Sequence, residues 1–330
     1  MRQRVAITLA CADYDHVRDL ASGAVGVEGV SLTVVHHPVE ELFFRFARHR
    51  EWDVSELSLG KYSSLRAAGD ESLVAIPVFP SRAFRHSAIF IRSDGPIDAP
   101  EALRGGRIGI PEWTVTATVY GRGLLAADHG VAIDGVSWIQ AGTNEPGRIE
   151  GISVELPDGV TVTPRPDATL NDLLIAGEID AIIAPHPPRA FEDASGRIVR
   201  LFSEPARVEE DYFLRTGVFP IMHVVAIRQD VYERHRWLAM NLLTAFEQAK
   251  ARSLERVLDI NSPRMPVAWA PAHAQRVREL MGGDIWPYGI EPNRTTLETF
   301  LRWAHEQNVC TRALEVEELF APEVREAFRI

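Results

Sequence analysis

The 330-residue sequence predicts an α/β protein of two lobes with a ligand cleft between them. Three observations carry that expectation. Short apolar runs alternate with helical patterns, which implies largely parallel sheets. Two apolar strands, 87–91 and 222–227, bracket a middle block, so the chain crosses between lobes twice. The hydrophobic content, 46% beside 25% charged residues, suffices for a substantial core. Residues 1–90 with 220–330 are expected to form one discontinuous lobe, and 91–219 the other.

Residues 5–10 are apolar and compact, a buried strand. Asp13-Tyr14-Asp15 follows, then a short helix over 16–21. The β-branched run 30–36 reads as a second strand. Pro38 opens a helix with Leu42, Phe43, Phe46 and Ala47 on one side. Asp53-Val54-Ser55 is a short strand ending in Glu56, with another helix behind it. Residues 103–111 are a turn and a strand, and Thr114, Thr116 and Thr118 lead into a helix carrying Val119, Leu124 and Leu125. Strand returns at 136–140, and 141–168 reads as irregular. A helix at 170–176 is capped by Gly177, and a strand at 179–184 is stopped by His186-Pro187-Pro188. After a strand ending at 227 come helices over 232–258, 272–281, 295–307 and 322–327.

Net charge is −11, from 35 basic and 46 acidic residues, with a pI near 5.5. That balance argues against a general nucleic-acid binder, and an acid-binding site must be a local positive pocket. The two cysteines, Cys11 and Cys310, lie far apart, which points to free thiols and a reducing, cytoplasmic setting. The N-terminal segment reads as a first strand rather than a signal peptide, and no run reaches the length of a membrane span. Gly23, Gly26 and Gly29 lack the strand-to-helix context of a nucleotide loop. His36-His37 has no ligand spacing, and there is no HExxH or Cys/His cluster, so neither metal nor cofactor is expected.

The block Ser81-Arg82-Ala83-Phe84-Arg85-His86 places two guanidiniums and an imidazole within five residues, just before a strand. Arg offers a planar fork for carboxylates, and His exchanges protons near neutral pH. A solvated surface loop is the plainer reading. His223 sits beside the second crossing, where its imidazole can converge with that of His86. Ser55 and Glu56 read either as a helix cap with a first-turn acid or as a general acid or base. Trp113, Thr114 and Thr116 precede a helix whose free amides can seat a carboxylate; the alternative is a capped helix with a core Trp. Asp13 and Tyr14 either hydrogen-bond a ligand or cap a helix. His186 is either an exposed loop histidine or a third imidazole brought in by lobe closure.

Taken together, LACADYD (9–15), DVSELSLGKY (53–62), IPVFPSRAFRH (76–86), GRIGIPEW with RGLL (106–113, 122–125), GEIDA (177–181), RTGVFPIMH (215–223), WPYGIEPNR (286–294) and EELFAPE (317–323) resemble the 4,5-dihydroxyphthalate decarboxylase family over nearly the whole chain. The chain departs from the family pattern at Tyr120-Gly121 and Ala184-Pro185-His186. The resemblance implies a type II periplasmic-binding-protein-like fold, a homo-oligomer, and cofactor-independent decarboxylation of a hydroxylated aromatic diacid to protocatechuate and carbon dioxide. Each ring hydroxyl of that substrate is para to a carboxyl-bearing carbon, so the catechol itself serves as the electron sink. Arg82 and Arg85 are then expected to hold the retained carboxylate; because they flank Phe84, the alternative is that one holds the ligand while the other braces the lobe. His86 and His223 are expected to move protons, with Glu56 as a substitute. Two rivals remain at this point: a non-catalytic cytoplasmic binding protein for a small aromatic acid, which needs the arginines but no proton donor, and an enzyme of the thiamine-pyrimidine synthesis type.

Overall fold

The computed structural model describes residues 4–193 and 195–326, and in it the chain builds two sheets. The first contains β1 (Val5–Cys11), β2 (Val30–His36), β3 (Val54–Ser58) and β4 (Leu73–Ile76). The second contains β5 (Ile89–Arg92), β6 (Arg107–Ile110), β7 (Ser137–Gly142), β8 (Val162–Thr169), β9 (Ala181–Ile183) and β10 (Ile198–Arg200). The last strand, β11 (His223–Arg228), returns to the first sheet. The orders are β2-β1-β3-β11-β4 and β10-β5-β9-β6-β7-β8. In the first, β1 pairs in parallel with β2 and β3, while β11 runs antiparallel between β3 and β4. In the second, β9, β6, β7 and β8 are parallel, and β5 runs against both its neighbours.

Helices α1 (Arg18–Ala21), α2 (Val39–His49) and α3 (Leu59–Ala67) accompany the first sheet. Helices α4 (Thr116–His129), α5 (Leu170–Ala176), α6 (Arg189–Glu192) and α7 (Pro205–Thr216) accompany the second, and α8 (Gln229–Arg234), α9 (Trp237–Leu258), α10 (Ala270–Leu280) and α11 (Arg294–Glu306) follow β11. The local causes are legible. In α2, Glu40 and Glu41 sit in the first turn and Arg48 and His49 in the last, matching the helix dipole, while Leu42 and Phe46, four residues apart, are buried. In α5 the Thr169 hydroxyl accepts the Asp172 amide, and Gly177 takes the left-handed conformation that ends the helix.

The two lobes are joined by segments 77–88 and 217–222, which run side by side. The Met222 amide donates to the Ser81 carbonyl at 2.8 Å, the Ala83 amide to Pro220 at 3.2 Å, and Arg82 bridges Ile221. The C-terminal region grips both lobes. The Tyr62 hydroxyl of α3 donates to the Leu319 carbonyl, and Trp113 Nε1 donates to the Gln307 carbonyl at 2.9 Å. Gly123 of α4 lets Trp303 of α11 approach, since a Cβ there would meet the indole at 2.3 Å.

Several elements differ from the sequence expectation. The stretch read as irregular, 141–168, ends in β8, an edge strand whose Pro164 and Pro166 mask the strand pattern; an edge position tolerates their missing donors. Helix α7 went unread because it buries only Tyr212 fully, leaving a faint apolar stripe. The long helix expected over 232–258 breaks at His235-Arg236 into α8 and α9. The expected last helix is a 3-10 turn, Pro322–Val324, and Ala327 lies outside the described residues. Among the described residues no helix is long and apolar enough to cross a membrane.

Candidate active site

Strand β11 enters the first sheet antiparallel, with His223 opposite Ser58 at the carboxyl end of β3. That register sets His223 beside Glu56, although 167 residues separate them in the chain. Glu56 is fully buried. Its Oε1 accepts from His223 Nδ1 at 2.6 Å and from the Tyr14 hydroxyl at 2.6 Å, and its Oε2 accepts the Ala12 amide at 2.9 Å. Burial pushes the carboxyl up, but His223, the Ala12 amide and Tyr14 together outweigh it and hold Glu56 below the usual carboxylate range. Burial and the neighbouring Glu56 charge raise the Tyr14 phenol, which stays protonated as a donor. Phe43 of α2 meets the His223 ring edge-on, with centroids 4.7 Å apart. The His223 side chain is 15% exposed, and its Nε2 has no partner among the described residues and keeps solvent access. An imidazole fixed at one nitrogen by a buried carboxylate and free at the other is poised to transfer protons.

The block 81–86 sends its three charged side chains in three directions. Arg82 is buried, donating to the carbonyls of Phe219 at 3.1 Å and Pro287 at 2.7 Å and to Asn293 Oδ1; its guanidinium stacks over Phe79 and Phe219. It braces the crossings against the C-terminal segment and offers no open fork, contrary to the expected carboxylate contact. Arg85 is partly buried beside Met222, to whose Sδ its Nε donates at 3.0 Å. Its Nη1 and Nη2 make no hydrogen bond or ion pair among the described residues. Burial lowers its pKa to about 10, which leaves it charged at neutral pH. His86 turns away: it is 2% exposed, packed edge-on between Phe202 and Tyr212, and makes no contact with the Glu56–His223 pair. The expected convergence of His86 with His223 therefore does not occur. The 3-10 turn His86–Ala88 rotates successive side chains to opposite sides.

The residues before α4 are mostly structural. Trp113 lies under the Arg122 guanidinium, 3.7 Å from it, with its ring buried. Thr114 Oγ1 and the Trp113 amide both donate to Glu150, so an internal carboxylate already occupies this turn. Thr116 Oγ1 bonds Ser58 Oγ and accepts the Gly60 amide, both at 2.9 Å, joining the starts of α3 and α4 across the seam. The approach is close enough that a Cβ on Gly60 would stand 2.4 Å from the Thr114 carbonyl. Ser55 points to the opposite face of β3 from Glu56 and donates to the Glu56 carbonyl. Asp13 is exposed beside Tyr14, without a side-chain partner among the described residues.

His186 does reach the other lobe. Its Nε2 lies 2.9 Å from Oε1 of Glu40, in the first turn of α2. A second tie joins Lys61 of α3 to Glu112 at 3.0 Å, with Arg148 on the other Glu112 oxygen at 2.7 Å. Glu40, Glu112, Arg148 and Glu150 were not singled out in the sequence, and Phe43 was read only as part of a helix's apolar side. Glu40 reads there as an ordinary first-turn acid, and Glu150 sits in a stretch with no pattern. Among the described residues no group of three His, Cys, Asp or Glu converges as a metal site.

The Glu40–His186 pair predicts a pH dependence. The His186 partner holds Glu40 down at about 2, and the Glu40 partner raises His186. The lowered acid contributes above its unfolded value and loses that contribution as pH falls towards about 2. The raised imidazole contributes below its unfolded value and loses its contribution as pH rises through the folded one. The tie is thus strongest between roughly pH 4.5 and 6.5. Both side chains are well exposed, 60% and 44%, so solvent screening keeps the effect under about 1 kcal/mol. Thermal melts should show the gap between the parent and Glu40→Gln to be widest near about pH 5.5 and to close as pH rises past the raised His186 value. A gap unchanged across that range contradicts the assignment.

The chain is 38% identical over 328 residues, 99% of both chains, to a 4,5-dihydroxyphthalate decarboxylase of Comamonas testosteroni. It belongs to the 4,5-dihydroxyphthalate decarboxylase family. A protein of the same name from Pseudomonas putida is 39% identical over 211 residues, covering 64% of this chain and 82% of that one. No family model matches the chain. Among solved structures, the periplasmic aliphatic sulphonate binding protein SsuA of Escherichia coli superposes with a TM-score of 0.56 at 12% identity, over 97% of this chain and 99% of that one. The desulfurization enzyme DSZB superposes with a TM-score of 0.52 at 15% identity, over 98% of each. At these identities the likeness shows the fold alone, that of the periplasmic sulphonate binding protein.

Proposed function

We propose that this protein decarboxylates 4,5-dihydroxyphthalate to protocatechuate and carbon dioxide without a cofactor. Membership of the decarboxylase family supports the substrate. The observation that carries the chemistry is the buried Glu56 carboxylate bonded to His223, whose second nitrogen is free. A protein that only carries an acid has no need of such a pair.

In this reading Arg85, with two unpartnered nitrogens, holds the retained carboxylate. His186 takes the proton of the hydroxyl para to the leaving group; the Glu40 carboxylate beside it raises its pKa and so its basicity. The phenolate pair moves through the ring, and His223 Nε2–H delivers a proton to the carboxyl-bearing carbon, forming the C–H bond. The C–C bond to the carboxylate then breaks. Its electron pair returns to the ring, carbon dioxide leaves, aromaticity is restored, and the phenolate recovers its proton from His186. One proton is consumed per turnover, and His223 regains it from solvent. Glu56 and Tyr14 hold the His223 ring in register throughout. The contacts of Ser58 with Thr116 and of Lys61 with Glu112 tie the start of α3 to the residues before α4. Buried free thiols at Cys11 and Cys310 fit a reducing, cytoplasmic setting.

Purified protein incubated with 4,5-dihydroxyphthalate and no added cofactor should release one carbon dioxide per protocatechuate formed. Saturable binding without turnover would instead assign a carrier. Arg85→Ala should raise KM about 10- to 150-fold, the loss of charged hydrogen bonds amounting to about 1.5–3 kcal/mol. Arg85→Lys should recover only part of that, because an ammonium lacks the planar fork. Steady-state kinetics in which kcat falls while KM stays constant would remove Arg85 from the carboxylate.

A further inference from the structure

A pocket of about 410 Å³ lies behind the first crossing, between the end of α4 and α7, lined by His86, Asp128, His129, Asp211, Tyr212 and Arg215. Its size falls within the range of small-molecule sites. It is separate from the Glu56–His223 site: Arg85 and His86 are consecutive, but Arg85 lies against Met222 while His86 packs against Tyr212 and Phe202.

Two features of the lining bear on what it can hold. His86 is almost wholly buried, yet neither ring nitrogen has a partner among the described residues. Nδ1 is sealed, so Nε2 is the nitrogen that retains access. A buried polar side chain without a partner calls for a ligand or water. The second feature is charge. Asp128 is matched by Arg215 at 2.7 Å, and His129 faces Glu101 at 2.8 Å, whereas Asp211, exposed at the rim, makes no hydrogen bond or ion pair among the described residues and stays available to a ligand. Burial pushes the His86 imidazole down to about 4, so at neutral pH it adds no charge. The pocket is left with one unmatched carboxylate, a neutral imidazole and the Tyr212 ring.

We propose that this pocket is a second ligand site, for a small protonated amine that also carries a hydroxyl. The ammonium pairs with Asp211, the aromatic wall covers the body of the ligand, and the hydroxyl meets His86 Nε2. A hydroxyl both donates and accepts, so it satisfies either neutral tautomer of that ring. An anion is disfavoured, because the guanidinium present is already neutralised by Asp128. The Ser87 amide donates to Glu209 of α7 at 2.9 Å, so the site is tied directly to the crossing on which the lobes join.

The test uses tyramine as probe, with phenethylamine, which lacks the hydroxyl, and 4-hydroxyphenylacetate, which replaces the ammonium by a carboxylate. Titration calorimetry on the full chain should give saturable tyramine binding in the millimolar range or tighter, phenethylamine weaker by about threefold or more, and no heat at this site from the acid. Asp211→Asn should weaken tyramine at least about tenfold while leaving decarboxylation unchanged. His86→Phe should abolish the difference between the two amines. If His86→Phe does not fold, the Asp211→Asn arm decides alone. Tyramine that fails to saturate by about 20 mM, or that binds Asp211→Asn with the parent's affinity, overturns the proposal.

Discussion

His223→Ala is expected to lower kcat for 4,5-dihydroxyphthalate by about 10²- to 10⁴-fold, the range of a lost general acid or base, with a much smaller change in KM. Among the described residues His223 is the one imidazole bonded to Glu56, and its free Nε2 is the proposed source of the ring proton. Truncation also has a structural cost. Glu56 would remain fully buried with only the Ala12 amide and the Tyr14 hydroxyl as donors, and breaking a buried pair costs about 3–5 kcal/mol. Glu56 would answer by taking up a proton. Its native pKa is held low, so its stabilising contribution is present above the unfolded value and lost as pH falls; in the variant that dependence should flatten. His223→Gln separates the two effects. The amide can still donate to Glu56 but cannot deliver a proton at neutral pH, so the thermal midpoint should recover while kcat does not. A His223→Gln enzyme retaining parental kcat would refute proton transfer by this residue.

Arg82→Ala should have its largest effect on folding. Three acceptors, the Phe219 and Pro287 carbonyls and Asn293 Oδ1, lose a charged donor in a buried setting, and two aromatic faces lose their cation. Hydrogen bonds to charged groups contribute about 1.5–3 kcal/mol each, but they are not additive, so a total loss of about 3–5 kcal/mol is expected. Denaturant titration should show the midpoint fall accordingly, while the folded fraction keeps KM within about threefold of the parent. That is the opposite pattern to Arg85→Ala, and the pair of variants distinguishes a brace from a substrate contact three residues away. A large KM rise in a fully stable Arg82→Ala protein would return Arg82 to the substrate.

The catalytic candidates differ in how far the sequence could reach them. Glu56, read as the end of its strand, is the middle residue of β3; His223 is visible because it sits at a strand end next to a chain crossing, the kind of place where α/β ligands bind. Tyr14 is visible for the same reason, at the end of β1. Arg82, Arg85 and His86 are visible only as a group. A five-residue spacing states that the charges are near one another along the chain, and nothing about which side each faces. Glu40 and Glu150 carry no local signal. Their roles come from His186 and from the residues before α4, both distant in sequence.

The sequence by itself determined the α/β fold class and the family, because hydrophobic period and motif spacing are written in neighbouring residues. Strand β2 falls on the expected 30–36, and the bracketing strands lie in the two different sheets. Tertiary structure alone decided that Arg82 braces, that Arg85 is open, and that His86 belongs to another pocket. Those outcomes depend on a 3-10 turn and on the antiparallel insertion of β11 between β3 and β4. A turn sets side-chain direction to within one residue, and strand insertion joins groups 167 residues apart, so neither is encoded at the range over which a sequence pattern can be read.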